Sequence, residues 1–181
     1  MKIFAIFHLN LMFSSIPEES RPEVIKRCYW PLLKLAEKGY PLGIEASGIT
    51  LEIIRNLDPL WIKNFKALLR SGKAEFIGSG YGQIIGPLVP PTLNRANLAL
   101  GWKTVEQILE TIPRIALINE QAWSAGMADH YLDAGYKAIF MDYDNPARYA
   151  DWDEHIQHFP QRAKGTNGES IPVIWSRSMV F

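Results

Sequence analysis

Several residues able to do acid–base or nucleophilic chemistry stand directly behind short apolar runs. His8 follows Ile3-Phe4-Ala5-Ile6-Phe7, Glu45 follows Leu42-Gly43-Ile44, Glu120 follows Ile115-Ala116-Leu117-Ile118-Asn119, and Asp142 follows Ala138-Ile139-Phe140-Met141. Trp175 and Arg177 close a further run that starts at Ile171. Carboxylates and an imidazole gathered in one place can donate protons, accept them or attack an electrophilic carbon, and indoles beside them offer a surface to a ring. Any single polar residue at such a position is explained by the chain leaving its core there. Five ends carrying His, Glu, Glu, Asp and a Trp/Arg pair point to a shared site.

Glu120 is the sharpest of these residues. Its setting, Asn119-Glu120-Gln121-Ala122-Trp123, predicts a partly desolvated carboxylate flanked by amides and an indole. That suits a nucleophile or a general acid acting on a sugar, since glycoside cleavage needs carboxylates beside an aromatic surface. It equally suits a carboxylate at the start of the helix that follows, where the helix dipole favours negative charge. Trp123 and Trp175, at the ends of apolar runs, are the indoles expected to stack on a ring, whereas Trp30, Trp61 and Trp102 fall in helical stretches that pack.

These residues need elements to position them. Strand-like and helix-like segments alternate along the chain, the pattern of a parallel α/β sheet with crossover helices. Strands are predicted at 2–8, 42–45, 74–78, 115–118, 138–142 and 171–175, and helices over 24–38 with Pro22 in the first turn after a possible cap at Ser20, over 48–57 and 59–69, from a cap at Thr92 to 109, and over 125–134. The stretch 163–170 reads as a linker. In parallel α/β folds the carboxyl ends of the strands share one edge, and ligand sites are built there. His8, Glu45, Glu120, Asp142 and Trp175 are therefore predicted to meet in one hollow. Tyr81 and Gln83 lie in a glycine-rich loop that can approach a ligand closely, and it has neither the Lys-Ser/Thr ending of a phosphate cradle nor Gly-x-Gly-x-x-Gly spacing.

Composition narrows the partners. The chain has 181 residues, 48% of them hydrophobic, enough for one sizeable core. Nineteen Lys and Arg balance nineteen Asp and Glu, so no excess positive field draws it to nucleic acid or anionic lipid, and the expected partner is small or neutral. One cysteine, Cys28, excludes an internal disulfide framework and a cysteine-rich zinc site and reads as a small buried apolar residue. The N-terminal apolar run is too short for a secretory core, and no window reaches the roughly 18 apolar residues of a membrane span. A cytoplasmic location is the expectation, and self-association is left open.

The order of segments resembles the N-terminal part of glycoside hydrolase family 57 over about residues 1–145. The family's first strand ends in His-Gln-Pro, and here His8-Leu9-Asn10 keeps the His. Its second motif is similar to Gly72-Lys73-Ala74-Glu75-Phe76-Ile77-Gly78-Ser79-Gly80-Tyr81-Gly82-Gln83, and its third to Pro113 through Glu120 and Trp123, with Asn119 where Pro is usual. Asp129 through Tyr136 also resembles the family. The resemblance implies an incomplete (β/α)7-type parallel barrel, truncated at its C-terminus, with residues 1–181 as the N-terminal part of one catalytic domain. It implies retaining chemistry on α-glucans, with Glu120 as nucleophile and His8, Glu45, Glu75, Tyr81, Gln83, Trp123, Asp142 and Trp175 around an oligo- or polysaccharide, without cofactor or metal. The family's acid/base motif lies beyond the last residues here, so the acid/base is expected outside this chain, and the chain alone is expected not to turn over substrate.

Two other classes are consistent with the sequence. Polysaccharide deacetylases have a related barrel and hold zinc with one Asp and two His separated by three residues; His155 and His158 are separated by two, with no Asp-Asp strand end before them. A non-catalytic sugar-binding remnant would keep the pocket without the acid/base. Asp144, just before Asn145-Pro146, reads as the start of a turn.

Overall fold

The computed structural model describes residues 4–177. Among them the strands are β1 (Ala5–Leu9), β2 (Leu42–Ala46), β3 (Glu75–Ile77), β4 (Ile115–Leu117), β5 (Ala138–Asp142), β6 (Gln161–Lys164) and β7 (Ser170–Ser176). The helices are α1 (Arg21–Val24), α2 (Trp30–Glu37), α3 (Gly48–Leu57), α4 (Pro59–Arg70), α5 (Pro91–Leu109), α6 (Ala125–Asp133) and the single turn α7 (Asp144–Ala147). Residues 2 and 3 of the first predicted strand, and Ser178 to Phe181 after the last, lie outside the described residues.

The strands pair as β1-β2-β3 and as β4-β5-β7-β6. Gly78 joins the two sets: its N–H donates to Ile115 O at 2.7 Å, and Leu117 N donates to its carbonyl at 2.9 Å, a parallel bridge to Ala116. Every pairing is parallel except that of β6 with β7. Because β1 to β5 and β7 all run parallel, their carboxyl ends share one edge, as the α/β reading requires.

Side chains alternate across each strand. One face carries Phe7, Leu9, Leu42, Ile44, Ala46 and Phe76 onto a core built with α2, α3 and α4, and Ala116, Ile139, Met141, Ile171 and Val173 onto a second core under α6. Burying each Leu, Ile or Phe there contributes about 1.5–3 kcal/mol. The opposite face carries His8 and Glu45, cross-strand partners in the β1–β2 register, and Asp142 opposite Ser176 in the β5–β7 register.

Local chemistry explains the helix boundaries. Ser47 accepts from Thr50 N to start α3, and Asp58 accepts from Trp61 N at 3.0 Å to start α4. Gly39, Gly72 and Gly135 have φ of 87°, 68° and 98° after their helices, a left-handed conformation that costs glycine little.

The first helix begins at Arg21, directly after Ser20 and with Pro22 in its first turn as the sequence predicts, and it contains a wider π-helical stretch, Ile25–Tyr29, just before Pro31, which has no N–H to continue the α-helical ladder. Cys28 in that stretch is exposed, not buried as the sequence predicts. Two elements differ from the sequence reading. Thr92 is not the cap of α5; the helix starts at Pro91, where the missing N–H does no harm. The stretch 163–170 is not a linker but the turn and flanks of the β6–β7 hairpin. Asp129 of α6 holds that turn by accepting from Thr166 N at 2.9 Å and from the Thr166 hydroxyl. Gly165 is required there, because a Cβ would lie 1.8 Å from Asp129 Oδ1.

Candidate active site

At the carboxyl edge, β1 and β2 deliver a bonded pair. His8 Nδ1 contacts Glu45 Oε2, and Glu45 is fully buried with its Oε1 unpartnered. Gln83 Nε2 lies 2.8 Å from His8 Nε2, and Gln83 Oε1 accepts from Asn10 Nδ2 at 2.9 Å. Burial pulls the imidazole pKa down, but the bond to Glu45, that carboxylate's charge and the charge of Glu120 outweigh it, so His8 titrates above the ordinary 6.5.

The loop carrying Gln83 is clamped by α5. Asn97 brackets Gly82, accepting from its N–H at 2.8 Å and donating to its carbonyl at 3.1 Å, and Tyr81 N donates to Asn97 O. Gly101 lets the helix come this close: a Cβ there would lie 2.6 Å from the backbone of Gly80.

Glu120 sits in the turn after β4 with φ 54° and ψ 15°, and Gln121 beside it has φ 53°. Two successive non-glycine residues in left-handed conformation cost roughly 1–2 kcal/mol each, and such strain persists only where surrounding bonds impose it. Here the neighbours impose it. Asn119 is buried and accepts from Ser79 Oγ at 2.8 Å, and Gln121 Oε1 accepts from the Asp142 N–H at 2.7 Å. With both flanking amides anchored inward, the Glu120 carboxylate projects outward. It is exposed, not partly desolvated as the sequence predicts, because Asn119 takes the buried position. Its charge nevertheless acts on the His8 imidazole and favours the protonated ring.

Asp142 is buried at the end of β5 on the same sheet face as His8 and Glu45. The other expected ligand residues lie elsewhere. Glu75 begins β3 and pairs with Gly43, so it is exposed at the amino edge, away from the carboxyl ends. Tyr81 turns back onto α3: its ring packs over Gly48 and its hydroxyl donates to Glu52 at 3.0 Å, a bond that raises its pKa. Trp175 pairs with Met141, and the alternation of side chains puts it on the helix-covered face, opposite Asp142. With Trp123 it lines a separate cavity of about 630 Å³ beside Tyr149 and Trp152. The sequence reading assigned no role to Asn10 or Asn97, and took Asn119 and Gln121 only as amides flanking Glu120. An Asn two residues after a strand-end His was the available signal for Asn10.

His155 and His158 lie in an exposed turn, and among the described residues no group of three His, Cys, Asp or Glu is gathered as a metal would require. Also among them, no helix is long and apolar enough to cross a membrane.

Parallel strands joined by helices, with acidic and imidazole groups at the carboxyl edge, define a parallel α/β protein, and in such folds that edge is where ligand sites are built. The family is more specific. A model of glycosyl hydrolase family 57 matches residues 7–170, and the chain belongs to that family. Among solved structures it is similar to a 4-α-glucanotransferase from Thermococcus litoralis, with 19% identity and TM-score 0.80 over 97% of this chain and 28% of that one. It is similar to an α-amylase from Thermotoga maritima, with 16% identity and TM-score 0.79 over 96% and 45%. It is also similar to a family 57 branching enzyme from Pyrococcus horikoshii, with 16% identity and TM-score 0.73 over 97% and 47%. The chain thus spans less than half the length of each. No curated protein sequence matches it significantly.

Proposed function

We propose that this chain is the nucleophile-bearing part of an incomplete (β/α)7-type barrel that acts on α-glucans as a retaining glycoside hydrolase or glucanotransferase. Glu120 is the nucleophile, and His8, Glu45, Gln83 and Asp142 form the surrounding polar wall. The observation that carries this reading is Glu120 itself: an exposed carboxylate in the turn after β4, held in left-handed backbone between two anchored amides, whose charge favours the protonated form of His8. A carboxylate that attacks an anomeric carbon needs a fixed position and open access to the sugar.

In the reaction, a Glu120 oxygen bonds to the anomeric carbon as the glycosidic C–O bond breaks. The departing oxygen takes a proton from a second carboxyl about 5–5.5 Å from the first. That acid/base is assigned to polypeptide beyond these residues. Water or a second sugar hydroxyl then releases the glycosyl group from Glu120.

An α-glucosyl fluoride tests the nucleophile without the acid, because fluoride departs unprotonated. Incubated with this chain, a 5-fluoro-α-glucosyl fluoride should form an ester to Glu120, seen by peptide mass spectrometry as one added fluoroglucosyl group and absent from Glu120→Gln. A label on another residue, or none while maltooligosaccharide binding persists, removes Glu120 from the role.

A further inference from the structure

We propose that Asn10 and Gln83 are positioning residues that decide which nitrogen of His8 carries the proton: they confine neutral His8 to its Nδ1–H tautomer and cap its Nε2 lone pair. The inference does not rest on the glycosidase reading.

It follows from the polarity of one hydrogen-bond chain. The Phe13 N–H donates to Asn10 Oδ1 at 2.8 Å, and Asn10 Nδ2 donates to Phe13 O at 3.1 Å. A main-chain N–H can only donate and a carbonyl can only accept, so the Asn10 amide has one allowed orientation. Its Nδ2 also donates to Gln83 Oε1 at 2.9 Å, which orients the Gln83 amide in turn. Gln83 Nε2, which carries only hydrogens, then faces His8 Nε2 at 2.8 Å, so that ring nitrogen must accept. The ring's own proton is left on Nδ1, against Glu45. Four side chains from β1, β2 and the loops after β1 and β3 are therefore set by the backbone of Phe13.

The arrangement has two chemical consequences. A ligand hydroxyl that reaches Nε2 of neutral His8 must displace Gln83 and must donate. A second proton on the ring would face the Gln83 amide hydrogens, so protonation expels Gln83 from Nε2. The charged groups bearing on the ring are Glu45 from β2 and Glu120 from the turn after β4, and both favour that second proton; Asn10 and Gln83 are uncharged.

The test is long-range ¹H–¹⁵N spectroscopy of the imidazoles across pH, with His8 assigned among the four histidines by His8→Gln. Above its midpoint, wild-type His8 should show a protonated Nδ1 and an unprotonated Nε2. Asn10→Asp removes the amide that fixed Gln83, which then turns its oxygen to Nε2; the His8 midpoint should rise by about 1 pH unit or more. Gln83→Glu puts a carboxylate at the same nitrogen and should raise the midpoint similarly, which decides the matter where Asn10→Asp does not fold. An Nε2–H or mixed tautomer in the wild type, or an unmoved midpoint in a folded variant, overturns the proposal.

Discussion

Gly78→Ala strikes the joint on which the composite site depends. A Cβ at this position would lie 2.4 Å from Tyr136 Cε1, 2.5 Å from its hydroxyl oxygen and 2.8 Å from Cζ, well inside the contact distance of about 3.5–4.0 Å. Tyr136 cannot swing aside. It is fully buried, its hydroxyl donates to Ser79 O at 3.2 Å, and its ring meets Trp102 and Tyr131 at centroid distances of 5.1 and 5.7 Å. Gly78 also carries the two backbone bonds that join the β1–β3 half of the sheet to the half beginning at β4. Overpacking of this kind costs about 1–3 kcal/mol. Distorting the two bonds adds about 1 kcal/mol each. The expected loss is therefore about 3–5 kcal/mol, a large share of the roughly 5–15 kcal/mol that holds such a domain folded.

Urea unfolding followed by far-ultraviolet circular dichroism measures the loss, read as a lower midpoint at unchanged slope. Tyr136→Ala removes the obstructing ring and by itself should cost about 3–5 kcal/mol. Combined with Gly78→Ala it should cost less than the sum by about 1–3 kcal/mol, because the clash exists only when both side chains are present. If Gly78→Ala changes stability by less than about 0.5 kcal/mol, or the two substitutions add, Gly78 is not a tight joint.

Three further outcomes follow from the geometry. In an enzyme containing this chain together with its acid/base, Glu120→Gln should abolish turnover of maltooligosaccharides while leaving the far-ultraviolet spectrum and Tm unchanged; unchanged rates refute the nucleophile assignment. Since His8 titrates higher when folded than when unfolded, its contribution is complete below about pH 6.5 and fades as pH rises through the folded midpoint. The stability difference between wild type and His8→Gln should accordingly narrow from pH 6 to 9 in urea melts, and widening contradicts the Glu45 pairing. The Thr166 hydroxyl and N–H hold the Asp129 pKa below its ordinary 3.8, so that contribution is full above about pH 4 and lost as pH falls further. Asp129→Asn should lower the neutral-pH Tm and flatten the acid limb of the Tm profile, and an unchanged acid limb means that the hairpin tie is not made in solution.

The sequence alone determined the alternation of strands and helices, the parallel character of the sheet, the helix stops at Gly39, Gly72 and Gly135, and the placement of His8, Glu45, Glu120 and Asp142 at strand ends. Those are local properties: apolar runs, caps and turn residues act within a few positions, and one sequence exposes them. Tertiary structure alone decided which strand-end groups meet. Trp175 follows Ile174 as Asp142 follows Met141, yet side-chain alternation and the β5–β7 register send the indole to the helix-covered face and the carboxylate to the other. Glu75 looked like a partner of Tyr81 within one motif, but a three-residue strand put it at the opposite edge and Glu52 drew the tyrosine hydroxyl onto α3. The hydrogen-bond polarity that reaches His8 from Phe13 was likewise hidden, because it passes between loops 73 residues apart, and only folding brings Asn10 to Gln83.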